Sequence, residues 1–135
     1  MRILIDTDVL LDLALDRKPH ADAAARLIEA VQRGSVTGII AWHTISNLYY
    51  ILASFSDRKR ALRFVRDLAA IVEVAPADSE TLDIALSLDM RDFEDAMQVA
   101  AAMAGSAEKI VTRNSRDFRN SPIAAVSPAT VELPG

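Results

Sequence analysis

The chain has 135 residues, of which 51% are hydrophobic and 25% charged, a composition typical of a soluble globular domain large enough for one core. Its net charge of −4 excludes a general polyanion binder held by charge alone, and the absence of cysteine excludes disulfides and thiolate metal sites. With no apolar run of roughly 18 residues and no recognisable secretory signal, we expect a single cytoplasmic domain over residues 1–135 and no membrane contact.

Short apolar runs alternate with longer helical ones along the chain, which is typical of βαβ units and a parallel sheet. In chain order, strands are predicted at residues 2–5, 36–41, 71–75, 109–112 and 123–126. Helices are predicted at residues 7–15, 20–33, 43–54, 58–70, 79–88 and 93–104. Gly34 and Gly105 each follow a helical run, as glycines at helix ends do.

The first predicted strand is apolar and ends in two acidic residues, Asp6 and Asp8. A strand this apolar is buried, so its first polar residues lie where the chain leaves the sheet. Ligands of open α/β sheets bind at that carboxyl edge. The sequence therefore predicts a polar site after the first strand.

Aromatic residues concentrate at the predicted third helix, as Trp42, Tyr49, Tyr50 and Phe55. Core packing is the default expectation for such side chains. Part of this surface could instead form a homodimer interface, because tryptophan and tyrosine are enriched at protein interfaces.

A second acidic segment, Asp92, Glu94 and Asp95, begins the helix predicted at residues 93–104. Helix capping alone would explain it, with Asp92 as the N-cap and the other two acids at the positive end of the helix dipole. The topology places this segment at the carboxyl edge of the sheet only if the helix at residues 79–88 first returns along the sheet. The residues alone leave both arrangements open.

A third polar segment, with Asn114 and Asp117, follows the fourth predicted strand. If the acidic segments converge, two carboxylates 4 Å apart would repel each other by roughly 4 kcal/mol at an effective dielectric near 20. A divalent cation would relieve this repulsion, and oxygen ligands favour Mg²⁺ or Mn²⁺. Such ions lower the pKa of bound water and orient it for attack on phosphorus, so phosphodiester hydrolysis is the reaction class that fits.

Three segments resemble the PIN-domain family, which includes the ribonuclease toxins of VapBC toxin–antitoxin pairs: ILIDTDVLLD at residues 3–12, DFEDA at residues 92–96 and IVTRNSRDF at residues 110–118. The resemblance implies an α/β fold in which helices sandwich a parallel five-stranded sheet, a three-layer α/β/α arrangement. It also implies Mg²⁺- or Mn²⁺-dependent cleavage of RNA. An antitoxin protein and a second copy of the chain, in a homodimer, are the implied partners.

The resemblance also implies roles for individual residues. Asp6, Asp95 and Asp117 match the family's catalytic, metal-binding acids. Supporting positions are implied at Asp8, Asn47, Asp92, Glu94, Thr112 and Asn114. Arg113, Arg116 and Arg119 flank this site and would bind the RNA backbone through bidentate phosphate contacts, unless they form only a solvated basic loop.

One position departs from the family pattern. Many PIN nucleases carry a glutamate in the helix after the second strand, where this chain has Asn47. An asparagine can bind a cation through its carbonyl oxygen but adds no charge, which predicts weaker binding of a second ion. This leaves open a catalytically weak or inactive PIN scaffold that binds RNA or a protein partner.

The segment Asp6-Thr7-Asp8 also resembles the nucleophile motif of haloacid-dehalogenase-like phosphatases, in which Asp6 would be phosphorylated. Those enzymes need a later serine or threonine, a lysine and a further acid pair. Thr112 could supply the hydroxyl, but Lys109 stands at the wrong end of its strand and no later acid pair follows. A metal-dependent ribonuclease, in the setting of a type II toxin–antitoxin pair, is therefore the favoured interpretation.

Overall fold

The computed structural model describes residues 1–134, so residue 135, at the end of the predicted domain, lies outside it. The strands are β1 (Arg2–Ile5), β2 (Thr37–Ile40), β3 (Glu73–Val74), β4 (Lys109–Val111) and β5 (Ala124–Val126). The helices are α1 (Thr7–Ala14), α2 (His20–Gln32), α3 (Trp42–Phe55), α4 (Arg58–Ala69), α5 (Ser79–Ser87) and α6 (Phe93–Ala104), with a 3₁₀ turn at Ser115–Phe118. The order along the chain is the predicted one.

The five strands form one parallel sheet in the order β3-β2-β1-β4-β5, which confirms the predicted sheet. The strand predicted at residues 71–75 is shorter than expected. The backbone N–H groups of Ile71 and Val72 donate to the carbonyl oxygen of Leu68, so these residues complete the end of α4 instead of pairing in the sheet. The predicted helix at residues 93–104 matches α6 in full.

The central strand β1 lies between β2 and β4. After β1 the chain builds β2 and β3 on one side, and then crosses to build β4 and β5 on the other. The order therefore reverses between β1 and β4, and the crevice outside the carboxyl ends of two such strands is where open α/β sheets bind ligands. Asp6 follows β1 at this point, and Thr112 follows β4.

Helices cover both faces of the sheet, which confirms the three-layer sandwich. Ile3 and Ile5 of β1 pack into a cluster with buried side chains of α1 to α4. Leu4, which points to the opposite face, packs with Ile110 and with α6 residues such as Val99. The strands thus alternate their side chains between two apolar layers.

The helix α6 is buried on several sides, as its small and apolar residues predict. It contacts β1, β2 and β4 on one side and α5 on the other. Ala96 and Ala100 pack in a cluster with α5, while Val99 and Ala102 face the sheet cluster, and all four are nearly inaccessible to solvent. The small side chains allow α6 to lie close to the sheet, and this closeness brings its first turns to the end of β1.

Within the described range of the chain, no helix is long and apolar enough to cross a membrane.

Candidate active site

A buried carboxylate, that of Asp6, joins three elements at the carboxyl ends of β1 and β4. Asp6 is the N-cap of α1 and only 6% exposed. Its Oδ1 accepts hydrogen bonds from the backbone N–H of Thr7 (2.8 Å) and from Nε2 of Gln98 (3.1 Å). Its Oδ2 accepts one from Oγ1 of Thr112 (2.8 Å). The carboxylate is therefore fixed from α1, α6 and the end of β4 at once.

Gln98 is a site residue that the sequence analysis missed. It is fully buried in α6, and its Nε2 also lies 3.3 Å from both Thr7 Oγ1 and Thr44 Oγ1. The signal was present, because a glutamine in an otherwise apolar helix requires a buried hydrogen-bond partner. Its contact with Asp6 shows that α6 begins at the carboxyl edge of the sheet, which resolves the topology that the sequence left open.

Asp8 lies beside Asp6 and is half-buried. Its Oδ2 accepts hydrogen bonds from Nδ2 of Asn114 (3.1 Å) and from the backbone N–H of Arg113 (3.3 Å). Its Oδ1 is buried and has no hydrogen-bond partner among residues 1–134. An orphaned carboxylate oxygen is costly to bury, so this atom is suited to an additional electropositive ligand.

The first turn of α6 adds a group of acidic side chains. Asp92 caps the helix by accepting a hydrogen bond from the backbone N–H of Asp95 (3.1 Å), as the capping interpretation predicted. Asp92, Glu94 and Asp95 each offer a carboxylate oxygen within 4.8 Å of the others. Glu94 Oε1 also lies 3.3 Å from Nε2 of His43 at the start of α3. Capping and cation binding are compatible uses of this segment.

Burial and the neighbouring carboxylates favour the protonated form of Asp6. Burial and then the neighbouring charge of Asp8 raise the pKa of Asp6 to about 7, against the opposing hydrogen bond from Thr112. Burial also raises the pKa of Asp8, although the charge of Arg113 opposes the rise. The charge of Asp8 therefore disfavours ionisation of Asp6 in the absence of a cation.

The same holds for Asp95. Partial burial, followed by the charges of Asp92 and Glu94, raises the pKa of Asp95 to about 6, with smaller contributions from Asp117 and Asp8. The acids predicted from the three separate segments therefore influence one another electrostatically. The converging charges, the orphaned Asp8 oxygen and the all-oxygen donor set fit a hard divalent cation such as Mg²⁺ or Mn²⁺.

A polar cleft of about 400 Å³ lies beside the acidic group. Asp95 and Asp117 line it, together with Arg116 and Arg119 from the turn after β4. Asp117 and both arginines are exposed. The cleft thus combines carboxylates with guanidinium groups that can contact phosphate oxygens.

Arg113 has a different environment from the other two arginines. Its Nε and Nη2 donate to the two carboxylate oxygens of Asp12, which is 1% exposed and also accepts from Nε of Arg17 (2.8 Å). This ion pair links α1 to the loop that carries Asn114. Asp12 was not singled out in the sequence, because its position in α1, four residues after Asp8, gives no sign of the arginines that it contacts.

The helix α3 contributes His43 and Thr44 to the site, whereas Asn47 lies one turn further from the sheet edge and is half-buried. Among the described residues, no hydrogen bond joins Asn47 to a site carboxylate. Its predicted supporting role remains a prediction.

Most of the aromatic cluster is exposed, so core packing is wrong for three of its four members. Trp42, Tyr50 and Phe55 are between 63% and 71% exposed, and only Tyr49 packs against the core. The buried face of α3 is instead formed by residues at helical spacing, namely Thr44, Leu48 and Leu52.

The raised pKa of Asp6 makes the metal-free protein sensitive to pH. Folded Asp6 binds a proton below about pH 7, whereas in the unfolded chain it does so only near its ordinary value of 3.8. The folded state then binds more protons between these values, so its free energy of unfolding falls as the pH rises from about 4 to about 7, by about 4 kcal/mol for this group. Asp6→Asn removes this contribution. In urea unfolding in EDTA, the free energy of unfolding of the wild type should fall relative to that of Asp6→Asn as the pH rises over this range. A difference that stays constant with pH would contradict the raised pKa of Asp6.

Asp12→Asn removes the charge that neutralises Arg17 and Arg113. We expect it to lower the free energy of unfolding by about 3 kcal/mol, because a buried ion pair loses one partner. Asp22→Asn is the matched control, since Asp22 pairs with Lys18 on the surface and should change stability by less than about 1 kcal/mol. Urea unfolding gives the free energy of unfolding of both variants. If the two substitutions lower it equally, the ion pairs of Asp12 do not stabilise the fold.

Comparison with known proteins agrees with the fold. A family model described as PIN domain matches residues 2–116. The chain is 21% identical over 122 residues to ribonuclease VapC1 of Aquifex aeolicus (strain VF5). The aligned region covers 87% of this chain and 83% of that protein. The fold is similar to that of VapBC2 from Rickettsia felis, which was solved bound to a promoter DNA fragment. The TM-score is 0.73 at 14% identity, and the match covers 94% of this chain and 98% of that chain.

A toxin–antitoxin complex from Klebsiella pneumoniae gives a TM-score of 0.71 at 21% identity, covering 93% of this chain and 97% of that chain. These structures share the fold described above. The family model spans most of the sequence, includes the acids at residues 6–8 and 92–95, and ends one residue before Asp117. The chain therefore belongs to the PIN domain family.

Proposed function

We propose that the protein is a divalent-metal-dependent endoribonuclease that hydrolyses RNA phosphodiester bonds. One observation carries the proposal: acids from three distant segments converge at the β1/β4 crevice, where a buried Asp8 oxygen has no partner among the described residues. Membership of the PIN family and the similarity to a protein named as a ribonuclease support the same reaction.

In this proposal Asp6, Asp95 and Asp117 hold Mg²⁺ or Mn²⁺ and are the catalytic acids. Asp8 joins them through its orphaned Oδ1. Supporting contacts come from Asn47, Asp92, Glu94, Thr112 and Asn114. The bound ion would lower the pKa of a water molecule and polarise a phosphoryl oxygen.

The chain's own residues would do the rest of the work. Gln98 and Thr112 keep the Asp6 carboxylate oriented through the hydrogen bonds described above, so little reorganisation is needed when the cation binds. Arg116 and Arg119 are free to contact the RNA backbone on the other side of the cleft. Arg113 is committed mainly to Asp12, so we expect its contribution to RNA binding to be smaller.

We further propose that the protein acts in the cytoplasm as the toxin of a toxin–antitoxin pair, as the names of the similar structures suggest. An apolar groove between α1, α3 and α4, lined by Leu15, Leu52, Phe55 and Phe64, offers surface that a protein partner would cover. A homodimer is the expected state of the chain without that partner.

Asn47 supports a second candidate, a PIN scaffold that binds RNA or protein without cutting it, because the site lacks the charge of a glutamate at this position. The phosphatase alternative has less support. Lys109 lies at the amino end of β4. Thr112 and Asp6 follow the carboxyl ends of the parallel strands β4 and β1, so the lysine is remote from Asp6, the nucleophile of this alternative.

A nuclease assay tests the proposed function. The purified protein should cleave end-labelled single-stranded RNA in Mn²⁺ or Mg²⁺ and lose this activity in EDTA. Asp6→Asn should lower kcat/KM by more than about 100-fold because it removes a ligand charge.

Asp83→Asn is the matched control, since Asp83 is exposed on α5 and should leave cleavage unchanged. Cleavage that persists in EDTA, or in the Asp6→Asn variant, would contradict the proposal. Binding of RNA without cleavage in any metal would favour the scaffold.

A further inference from the structure

The chain's single tryptophan, Trp42, is 63% exposed at the start of α3. It follows β2, so it lies at the same carboxyl edge of the sheet as Asp6. Beside it is an open apolar groove of about 180 Å³, formed between α3, α5 and α6. The groove is lined by residues that include Trp42, Pro76, Leu82, Ala85, Met97 and Ala100.

The groove and the acidic group share a wall. His43 lines the groove, and its Nε2 lies 3.3 Å from Oε1 of Glu94. On α6, Met97 lines the groove while Asp95, half a turn earlier, lines the arginine-containing cleft. The acids at the start of α6, Glu94 and Asp95, therefore form an acidic ridge between an apolar groove on one side and Arg116 with its neighbours on the other.

This arrangement matches the chemistry of a single-stranded nucleic acid. Its bases are flat and apolar on their faces, whereas its phosphates are anionic. Stacking on an exposed aromatic side chain is a recurrent way to hold a base without reading its identity. A cleft of arginines holds phosphates through charge and hydrogen bonds.

We propose that the Trp42 groove binds one unpaired base of the RNA substrate, with the indole stacked on the base and the adjoining phosphates directed across the acidic ridge towards Arg116 and Arg119. The proposal rests on the proposed ribonuclease function and adds a subsite to it.

The groove should discriminate only weakly between bases. The polar groups at its rim are largely engaged within the chain, since Thr81 donates to Asp78 and to the carbonyl oxygen of Pro76. His43 is the lining side chain best placed to reach a base edge, and it already contacts Glu94. Stacking and apolar contact are therefore the main contributions.

Because Trp42 is the only tryptophan in the sequence, its fluorescence reports directly on the groove. The titration uses wild-type protein in EDTA, so that no RNA is cut. A single-stranded oligoadenylate RNA should quench the emission. An abasic ribose-phosphate chain of equal length should leave the emission unchanged, since it carries no base to stack. Adenosine monophosphate at the same base concentration should quench the emission far less than oligoadenylate. This comparison shows whether binding requires the phosphates of the RNA chain in addition to the base.

Variants test the contribution of the groove to cleavage. Trp42→Ala should raise the KM for single-stranded RNA at least about fivefold, the lower bound for loss of one stacked base, while kcat falls less than KM rises. Trp42→Phe keeps an aromatic face and should restore most of the affinity. Tyr50→Ala is the matched control, because Tyr50 is an equally exposed aromatic residue two turns along the same helix and outside the groove.

Unchanged emission with oligoadenylate, together with an unchanged KM in Trp42→Ala, would overturn the proposal. So would a shift of Trp42→Ala from dimer to monomer in sedimentation with an unaltered KM, because the groove would then be a protein interface. If the protein cleaves no RNA, the fluorescence titration still decides, since base-dependent quenching supports the subsite even where the nuclease function fails.

Discussion

The buried carboxylate of Asp6 connects the elements that form the candidate site. It accepts hydrogen bonds from Thr7, Gln98 and Thr112, which belong to α1, α6 and the end of β4. These residues lie up to 106 positions from Asp6 in the chain. Without an acceptor at this point, the buried amide of Gln98 would lose its shortest hydrogen bond, which links α6 to the end of β1.

The same arrangement is electrostatically unfavourable in the absence of a cation. Burial and neighbouring charge raise the pKa of both Asp6 and Asp95, and one oxygen of Asp8 has no partner in the described part of the chain. A cation bound at the crevice would relieve this cost, so its binding would also stabilise the folded state. Away from the crevice, the buried charge of Asp12 is neutralised by Arg113, and this ion pair holds the loop after β4 against α1.

The sheet and the helices could be predicted from the sequence because each leaves a local signature, and the acids of the candidate site were inferred from their places at predicted strand and helix ends and from the family resemblance. Apolar runs end at Asp6, and α6 follows from its periodicity and its Asp92 cap. The contacts of Gln98, Thr44 and Asp12 could not be predicted in the same way, since they depend on how α6, α3 and the loop after β4 meet in space. Exposure of Trp42 was missed for a related reason: an aromatic residue is assigned to the core by default, and only the register of α3 shows which face is buried.

In the proposed function, the crevice between β1 and β4 holds a divalent cation on carboxylates from separate segments. Anomalous scattering from crystals soaked in Mn²⁺ would locate this ion without relying on activity. An anomalous peak is expected within about 2.0–2.6 Å of carboxylate oxygens of Asp6 or Asp8 and of Asp95. A peak confined to Asp92 and Glu94 on the surface, or no peak at saturating Mn²⁺, would show that the crevice is not the cation site.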